Sequence, residues 1–285
     1  MTIFLGNCAI AGVLQFILPG HDLFQPVHVG NARRAIIRKE REEGNVATYK
    51  VRLKKKEDVA DGTMAFYFEK PVGFQFKPGQ FANLTLLNPR ETDAEGNVRT
   101  FSIASAPLEE DLMFATRMRD TAFKRMLKTM PLWTEITLGG PFGSFTLHSD
   151  STRPGVFMAG GIGITPFRSM VLHASKSRLP HRLLLFYSNR RPEDAAFLQE
   201  LEVIEKENPR YSFIGTMTQM EKSKQKWAGR TGFIDKRMLS ESVDELKSSI
   251  YYVAGPPAMV SAIGHVLTDL GVSEDDIRSE EFAGY

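Results

Sequence analysis

Ala159-Gly-Gly-Ile-Gly-Ile-Thr-Pro166 lies between an apolar run, Gly155-Val-Phe-Met-Ala159, and a segment in which Ile164, Phe167, Met170, Val171 and Ala174 recur at helical spacing. A strand, a glycine turn and a helix start form the device that cradles a pyrophosphate. Residues without side chains let the backbone approach the phosphate, and N–H groups at the helix start favour its charge. Gly160, Gly161 and Gly163 make that turn, and Thr165 and Pro166 open the helix. Three glycines alone would mark any tight connection. The strand before and the helix after favour a nucleotide.

Downstream of the turn, strand and helix patterns alternate. Residues 183–188, 211–217 and 250–254 read as buried strands, Phe197, Leu201 and Ile204 mark one helix, and Met259, Ile263, Val266 and Leu270 another, with Gly271 as its stop. Pro192, Glu193 and Asp194 suit the first turn of the earlier helix. That alternation predicts a doubly wound parallel sheet over residues 151–285. Upstream, apolar residues alternate in 49–53, 64–68, 82–86, 99–104, 112–117 and 134–138, with one helix at 121–130. Short alternating strands with few helices predict an antiparallel barrel over residues 46–150.

Composition agrees with two modest soluble domains: 285 residues, 42% hydrophobic and 25% charged. A net charge of +2 makes no global case for nucleic acid. Cys8 is the single cysteine, which excludes an intramolecular disulfide and any four-cysteine iron–sulfur or zinc site. A reducing cytoplasm fits. The six histidines show no close ligand spacing, so no metal site is expected. Residues 1–45 read as an extension outside the fold. Its apolar run, 3–18, is shorter than the about 20 residues that span a membrane, and Asn7 and Gln15 interrupt it. An interfacial helix or a membrane contact are the alternatives for it.

Arg99-Thr-Phe-Ser102, within Arg99-Thr-Phe-Ser-Ile-Ala-Ser-Ala-Pro107, resembles the flavin-binding signature of the ferredoxin–NADP reductase family. The resemblance covers residues 47–285. It includes Phe76-Lys-Pro-Gly-Gln-Phe81, Gly140-Pro-Phe-Gly143, the glycine turn, Val253-Ala-Gly-Pro256 and Glu280-Glu-Phe-Ala-Gly-Tyr285, in the family's order. It implies a barrel that holds FAD, with FMN as the alternative, and a second domain that holds NADPH or NADH.

The resemblance also implies roles. Arg99 would fork onto the flavin diphosphate, Thr100 would accompany it, Phe101 would lie against the isoalloxazine, and Ser102 would hydrogen-bond near the flavin N5. Arg117 and Arg119 lie where the family runs a strand beside the flavin, and Gly140, Gly143 and Ser144 resemble a second phosphate loop. Thr121-Ala-Phe stands where relatives carry a glycine-rich stretch. Gly255 and Pro256 would approach the nicotinamide, with Ala254 in place of the family's cysteine. Glu280 and Phe282 match an acid-x-aromatic tail in which the aromatic covers the flavin, and Tyr285 is the rival for that place. Ser188 and Arg190 could bind a 2′-phosphate, with no acid before Glu193, which leans towards NADPH.

The function expected is hydride transfer from a nicotinamide to the flavin, followed by electron delivery. One cysteine cannot hold a fused ferredoxin cluster, so the acceptor would be separate: a ferredoxin, a flavodoxin or a haem protein. Arg117, Arg119, Lys124, Arg125 and Lys128 face only Asp120 across twelve residues and would steer an acidic carrier. The alternatives are a reductase of free flavin or small oxidants, and a flavin-bearing electron-wiring subunit of a larger complex.

Overall fold

The computed structural model describes residues 47–282, which leaves the 1–45 extension, Cys8 and Tyr285 outside. Two six-stranded sheets follow one another. The first holds β1 (Thr48–Ala60), β2 (Thr63–Glu69), β3 (Phe81–Thr85), β4 (Val98–Ser102), β5 (Asp111–Arg117) and β6 (Glu135–Phe142), in the order β4-β3-β6-β1-β2-β5 with every pair antiparallel. Alternation builds it: Val51 and Leu53, Phe66 and Phe68, and Ile136 and Leu138 point into one core. Helix α1 (Ala122–Thr129), capped by Thr121, inserts Phe123 and Leu127 into that core. The sheet is barrel-like but not closed. Its edges meet where the Ala104 N–H, just past β4, donates to the Met113 carbonyl of β5 at 2.8 Å.

Phe145 already packs on the second domain, against Phe167 of its first helix and Tyr252 of its sheet, with ring centroids 5.7 and 5.6 Å away. That sheet is parallel: β7 (Gly155–Gly160), β8 (Leu183–Asn189), β9 (Tyr211–Met217), β10 (Arg230–Thr231), β11 (Ile250–Gly255) and β12 (Ile277–Glu281), in the order β10-β9-β8-β7-β11-β12. Successive side chains of β7 feed opposite faces. Phe157 and Ala159 meet α2 (Ile164–Lys176) and α3 (Leu198–Glu207), while Val156 and Met158 meet α4 (Lys236–Ser242) and α5 (Pro257–Asp269). Helices on both faces make the doubly wound layer.

The structure corrects the reading around α3. Pro192–Asp194 forms a separate 3-10 turn, and α3 starts only at Leu198, because Phe197 takes a left-handed backbone (φ 62) that breaks the run. Sequence patterning also missed β10, α4 and β12. Among the described residues no helix is long and apolar enough to cross a membrane.

Candidate active site

The strand order reverses between β7 and β11, and the crevice at such a switch point is where doubly wound sheets bind nucleotides. Gly160 ends β7, Gly161–Gly163 forms a 3-10 turn with φ 52 at Gly161, and α2 starts at Ile164. Gly255 ends β11, and Pro256 opens α5. The two turns touch: a Cβ on Gly255 would lie 3.1 Å from the Gly160 nitrogen, and one on Gly163 would overlap the Ala254 carbonyl. Thr165 and Pro166 are buried, with the Thr165 hydroxyl donating to the Ile162 carbonyl at 3.0 Å. Every second-domain glycine expected at the turn is therefore gathered at one crevice.

Ser188 pairs with Gly160 across the β7–β8 ladder, so the 188–190 segment borders the same crevice. Arg190 is exposed. The first acid after the strand, Glu193, is engaged elsewhere: its carboxylate accepts from the Ser223 hydroxyl and the Lys224 N–H. Asn189, which sequence reasoning passed over, is 6% exposed, and both atoms of its amide lack a hydrogen-bond partner. A polar residue closing an apolar strand was its only signal.

On the barrel, Arg99 and Phe101 share one side of β4 and converge on Phe123: the guanidinium lies 5.2 Å from that ring's centroid and the Phe101 ring 5.9 Å. The Arg99 fork also grips the preceding hairpin, donating to the Gly96 and Val98 carbonyls at 3.0 and 2.9 Å and to the Asp93 carboxylate. That hydrogen bond holds the Asp93 carboxyl below its usual range. Thr100 donates to Asn83 across the ladder at 2.7 Å. Ser102 is 2% exposed, and its hydroxyl has no hydrogen-bond partner.

Lys124 enters this site unexpectedly. The helical wheel puts it on an outer face with Lys128, but α1 docks that turn against the barrel. The Lys124 ammonium donates to the Arg117 carbonyl at 2.7 Å. Burial, then repulsion from Arg119 and Arg99, lowers its pKa from 10.5 to about 8. Arg99, Arg119 and Lys124 thus gather beside the N-terminus of α1, with Asp93 and Glu95 paired to Arg99. The five-residue basic docking face is correspondingly broken up, since Arg125 is tied to Glu91 and Asp120.

Other positions lie elsewhere. The Arg117 guanidinium turns to the Asp61 and Asp194 carbonyls, both 3.4 Å away, and joins the barrel to the second domain. Gly140, Gly143 and Ser144 lie at the end of β6, across β3 from β4, where the Gly140 N–H donates to the Ala47 carbonyl and the Gly143 carbonyl accepts from Gln80. Glu280 is buried on β12 beside Ala254, and the Phe282 N–H donates to the Gly255 carbonyl at 2.9 Å. Phe282 packs against the second-domain core at the mouth of the crevice.

Comparison with known proteins agrees with this geometry. Residues 157–265 match the family model of the oxidoreductase NAD-binding domain. The glycine betaine monooxygenase reductase subunit of Chromohalobacter salexigens is 28% identical over 223 residues, 77% of this chain and 60% of that protein. The chain thus spans somewhat under two thirds of that relative. Among solved structures, an Amycolatopsis cytochrome P450 reductase shares the fold with a TM-score of 0.70 at 22% identity, over 83% of this chain and 70% of that one. A ferredoxin NADP+ reductase from Neisseria gonorrhoeae, with bound FAD and NADP, has a TM-score of 0.69 at 20% identity, over 82% and 98%. Residues 157–265 thus match an oxidoreductase NAD-binding domain, and the chain shares the two-domain fold of these ferredoxin NADP+ reductase and cytochrome P450 reductase structures.

Proposed function

We propose that the chain is a flavin-dependent NAD(P)H reductase that holds FAD on its barrel and a nicotinamide dinucleotide in the β7–β11 crevice. The observation that carries this reading is Ser102. A buried hydroxyl without a partner costs about 1–3 kcal/mol, and a bound ligand that completes its hydrogen bond would offset that cost. The gathered cations Arg99, Arg119 and Lys124 suit a diphosphate on the same barrel. FAD held by these residues would supply the redox chemistry, hydride acceptance from a nicotinamide and electron release to an acceptor.

The protein's own work is alignment and charge matching. Arg99 and Lys124 hold phosphate, with Arg119 at the solvent side. Ser102 orients the reacting edge of the ring system, and Phe101 flanks it. The turn at Gly160, Gly161 and Gly163 and the start of α2 hold the nicotinamide cofactor's pyrophosphate, while Gly255, Pro256, Glu280 and Phe282 wall the crevice. With Glu193 engaged by Ser223 and Lys224, Ser188 and Arg190 are left to meet the ribose end, which favours NADPH over NADH.

The acceptor in this reading is a separate protein, as the reductase-subunit name of the Chromohalobacter relative suggests. An acidic ferredoxin or flavodoxin would meet Arg119 and Lys128 in the cytoplasm. The pairing of Arg125 with Glu91 and Asp120 weakens that face and favours a second reading, reduction of a small oxidant. The test is the isolated chain loaded with FAD. Stopped-flow mixing with NADPH and NADH should bleach the flavin, and an acceptor screen at low and high salt separates the readings. A purified chain that takes up no flavin, or whose flavin neither nucleotide reduces, overturns the proposal.

A further inference from the structure

Arg168 sits in the second turn of α2, on the face the helix buries, and is 6% exposed. Its planar fork carries five N–H donors, and the structure gives each one an acceptor. Nε and Nη2 donate to the two Glu200 oxygens, both at 2.6 Å. Nη1 and Nη2 donate to the Glu109 oxygens at 2.9 and 3.1 Å. The remaining Nη1 hydrogen goes to the Ala104 carbonyl at 2.8 Å. The guanidinium also lies 5.2 Å from the Phe197 ring centroid, the residue whose left-handed backbone starts α3. Next to it, the Ser169 hydroxyl donates to the Ser105 carbonyl at 2.7 Å.

These contacts join the two halves of the proposed reaction site. Ala104 is two residues beyond Ser102 on an extended segment that the Gln80 and Met113 carbonyls pin at Ile103 and Ala104. Arg168 is one helical turn beyond Ile164 and Thr165, where the nucleotide turn becomes α2. We propose that Arg168 is a positioning residue, fixing the gap between the nucleotide turn and the Ser102 edge of the barrel; this rests on the reductase reading above. Adhesion alone does not explain the arrangement. The guanidinium is buried while its carboxylate partners stay 28 and 34% exposed, and ion pairs so placed hold surfaces together no better than apolar packing does. What the fork adds is direction, since two bidentate pairs and a carbonyl leave the guanidinium no alternative orientation.

The test compares Arg168→Lys and Arg168→Met with the wild-type chain. Lys keeps the charge without the fork, and Met keeps the bulk. Spin labels at exposed Thr129→Cys on the barrel and Lys206→Cys on α3, in a Cys8→Ser background, report the spacing of the domains with no flavin present. Both variants should fold, broaden the label-to-label distance distribution, retain flavin and bind nicotinamide within twofold of wild type. Flavin reduction at saturating nicotinamide should fall by at least about tenfold, with the deuterium isotope effect retained or enlarged, because even about 1 Å of misplacement is costly to an aligned transfer. A distance distribution and saturating rate unchanged in Arg168→Lys would overturn the proposal, even if its melting temperature fell. If wild type takes up no flavin, the reductase reading fails. The label distances then decide the clamp alone: broadening in the variants supports it, and no change overturns it.

Discussion

Gly163 and Ala254 approach so closely that a Cβ on Gly163 would overlap the Ala254 carbonyl and lie 2.8 Å from the Gly255 nitrogen. Both obstacles are backbone in the middle of a parallel sheet, so neither can rotate away as a side chain would. Gly163→Ala should therefore cost about 1–3 kcal/mol of stability, the usual range for overpacking, and weaken nicotinamide binding by wedging the glycine turn from β11. Gly264 in α5 is the control, because nothing lies within 4 Å of its Cβ position. Gly264→Ala should stabilise by about 0.5–1 kcal/mol, as expected for glycine replaced within a helix. Thermal unfolding of the two variants checks both signs.

Ser102→Ala separates a cofactor contact from a structural one. The hydroxyl is buried without a partner, so deleting it removes an unmet desolvation cost. Flavin-free protein should be as stable as wild type, or more stable by up to about 1–3 kcal/mol. Flavin should stay bound, while its reduction slows on the order of tenfold or more through loss of a preorganised hydrogen bond. A flavin-free variant that melts markedly lower would assign the hydroxyl to the fold.

The glycine turn was legible because its signal is local: strand, turn and helix start are contiguous, and period switching from two to 3.6 marks them. The Arg99–Ser102 strand was legible through resemblance. Arg168 was not, because in the sequence it is one polar residue within an apolar helical stripe, and its partners Glu109 and Glu200 lie 59 and 32 residues away. Lys124 misled for the opposite reason. Helical spacing puts it with Lys128, but tertiary docking of α1 decides which turn is covered. β12 carries Arg278, Ser279, Glu280 and Glu281 with little apolar alternation. It is a strand because β11 offers it a free edge, which no local pattern announces.

Arg99→Ala should yield folded protein that loses flavin. The guanidinium touches the hairpin at residues 93–98 and Phe123, so its loss loosens a surface loop and leaves the barrel core intact. Each charge-assisted hydrogen bond to phosphate is worth about 1.5–3 kcal/mol, enough to empty the site during purification. Asp93→Asn gives the opposite sign, since the Asp93 carboxylate competes for the same fork. Its flavin affinity should rise. Full flavin content in Arg99→Ala, or weaker binding in Asp93→Asn, would mean that the fork holds the hairpin and not the cofactor.

Lys124 predicts a pH dependence of defined sign. Its pKa is about 8 in the folded protein and rises to the ordinary 10.5 when the chain unfolds. Below pH 8 the ammonium is charged in both states, and the fold bears the full cost of burying it beside Arg119 and Arg99. Between about 8 and 10.5 the unfolded chain holds a proton that the folded one has released, so stability contributed by this group rises with pH. Above that window the cost is gone. Flavin-free Lys124→Met should accordingly be more stable than wild type at pH 7, with the gap closing by pH 10. Phosphate binding reverses the balance, because an anion keeps the ammonium protonated. Wild type should bind flavin more tightly than Lys124→Met at pH 7, take up a proton on binding above pH 8, and lose its advantage as the pH climbs. Denaturant melts of flavin-free protein and flavin titrations over pH 7–10 measure both. Identical pH profiles for the two proteins would remove Lys124 from the phosphate cluster and leave Arg99 and Arg119 to hold the diphosphate alone.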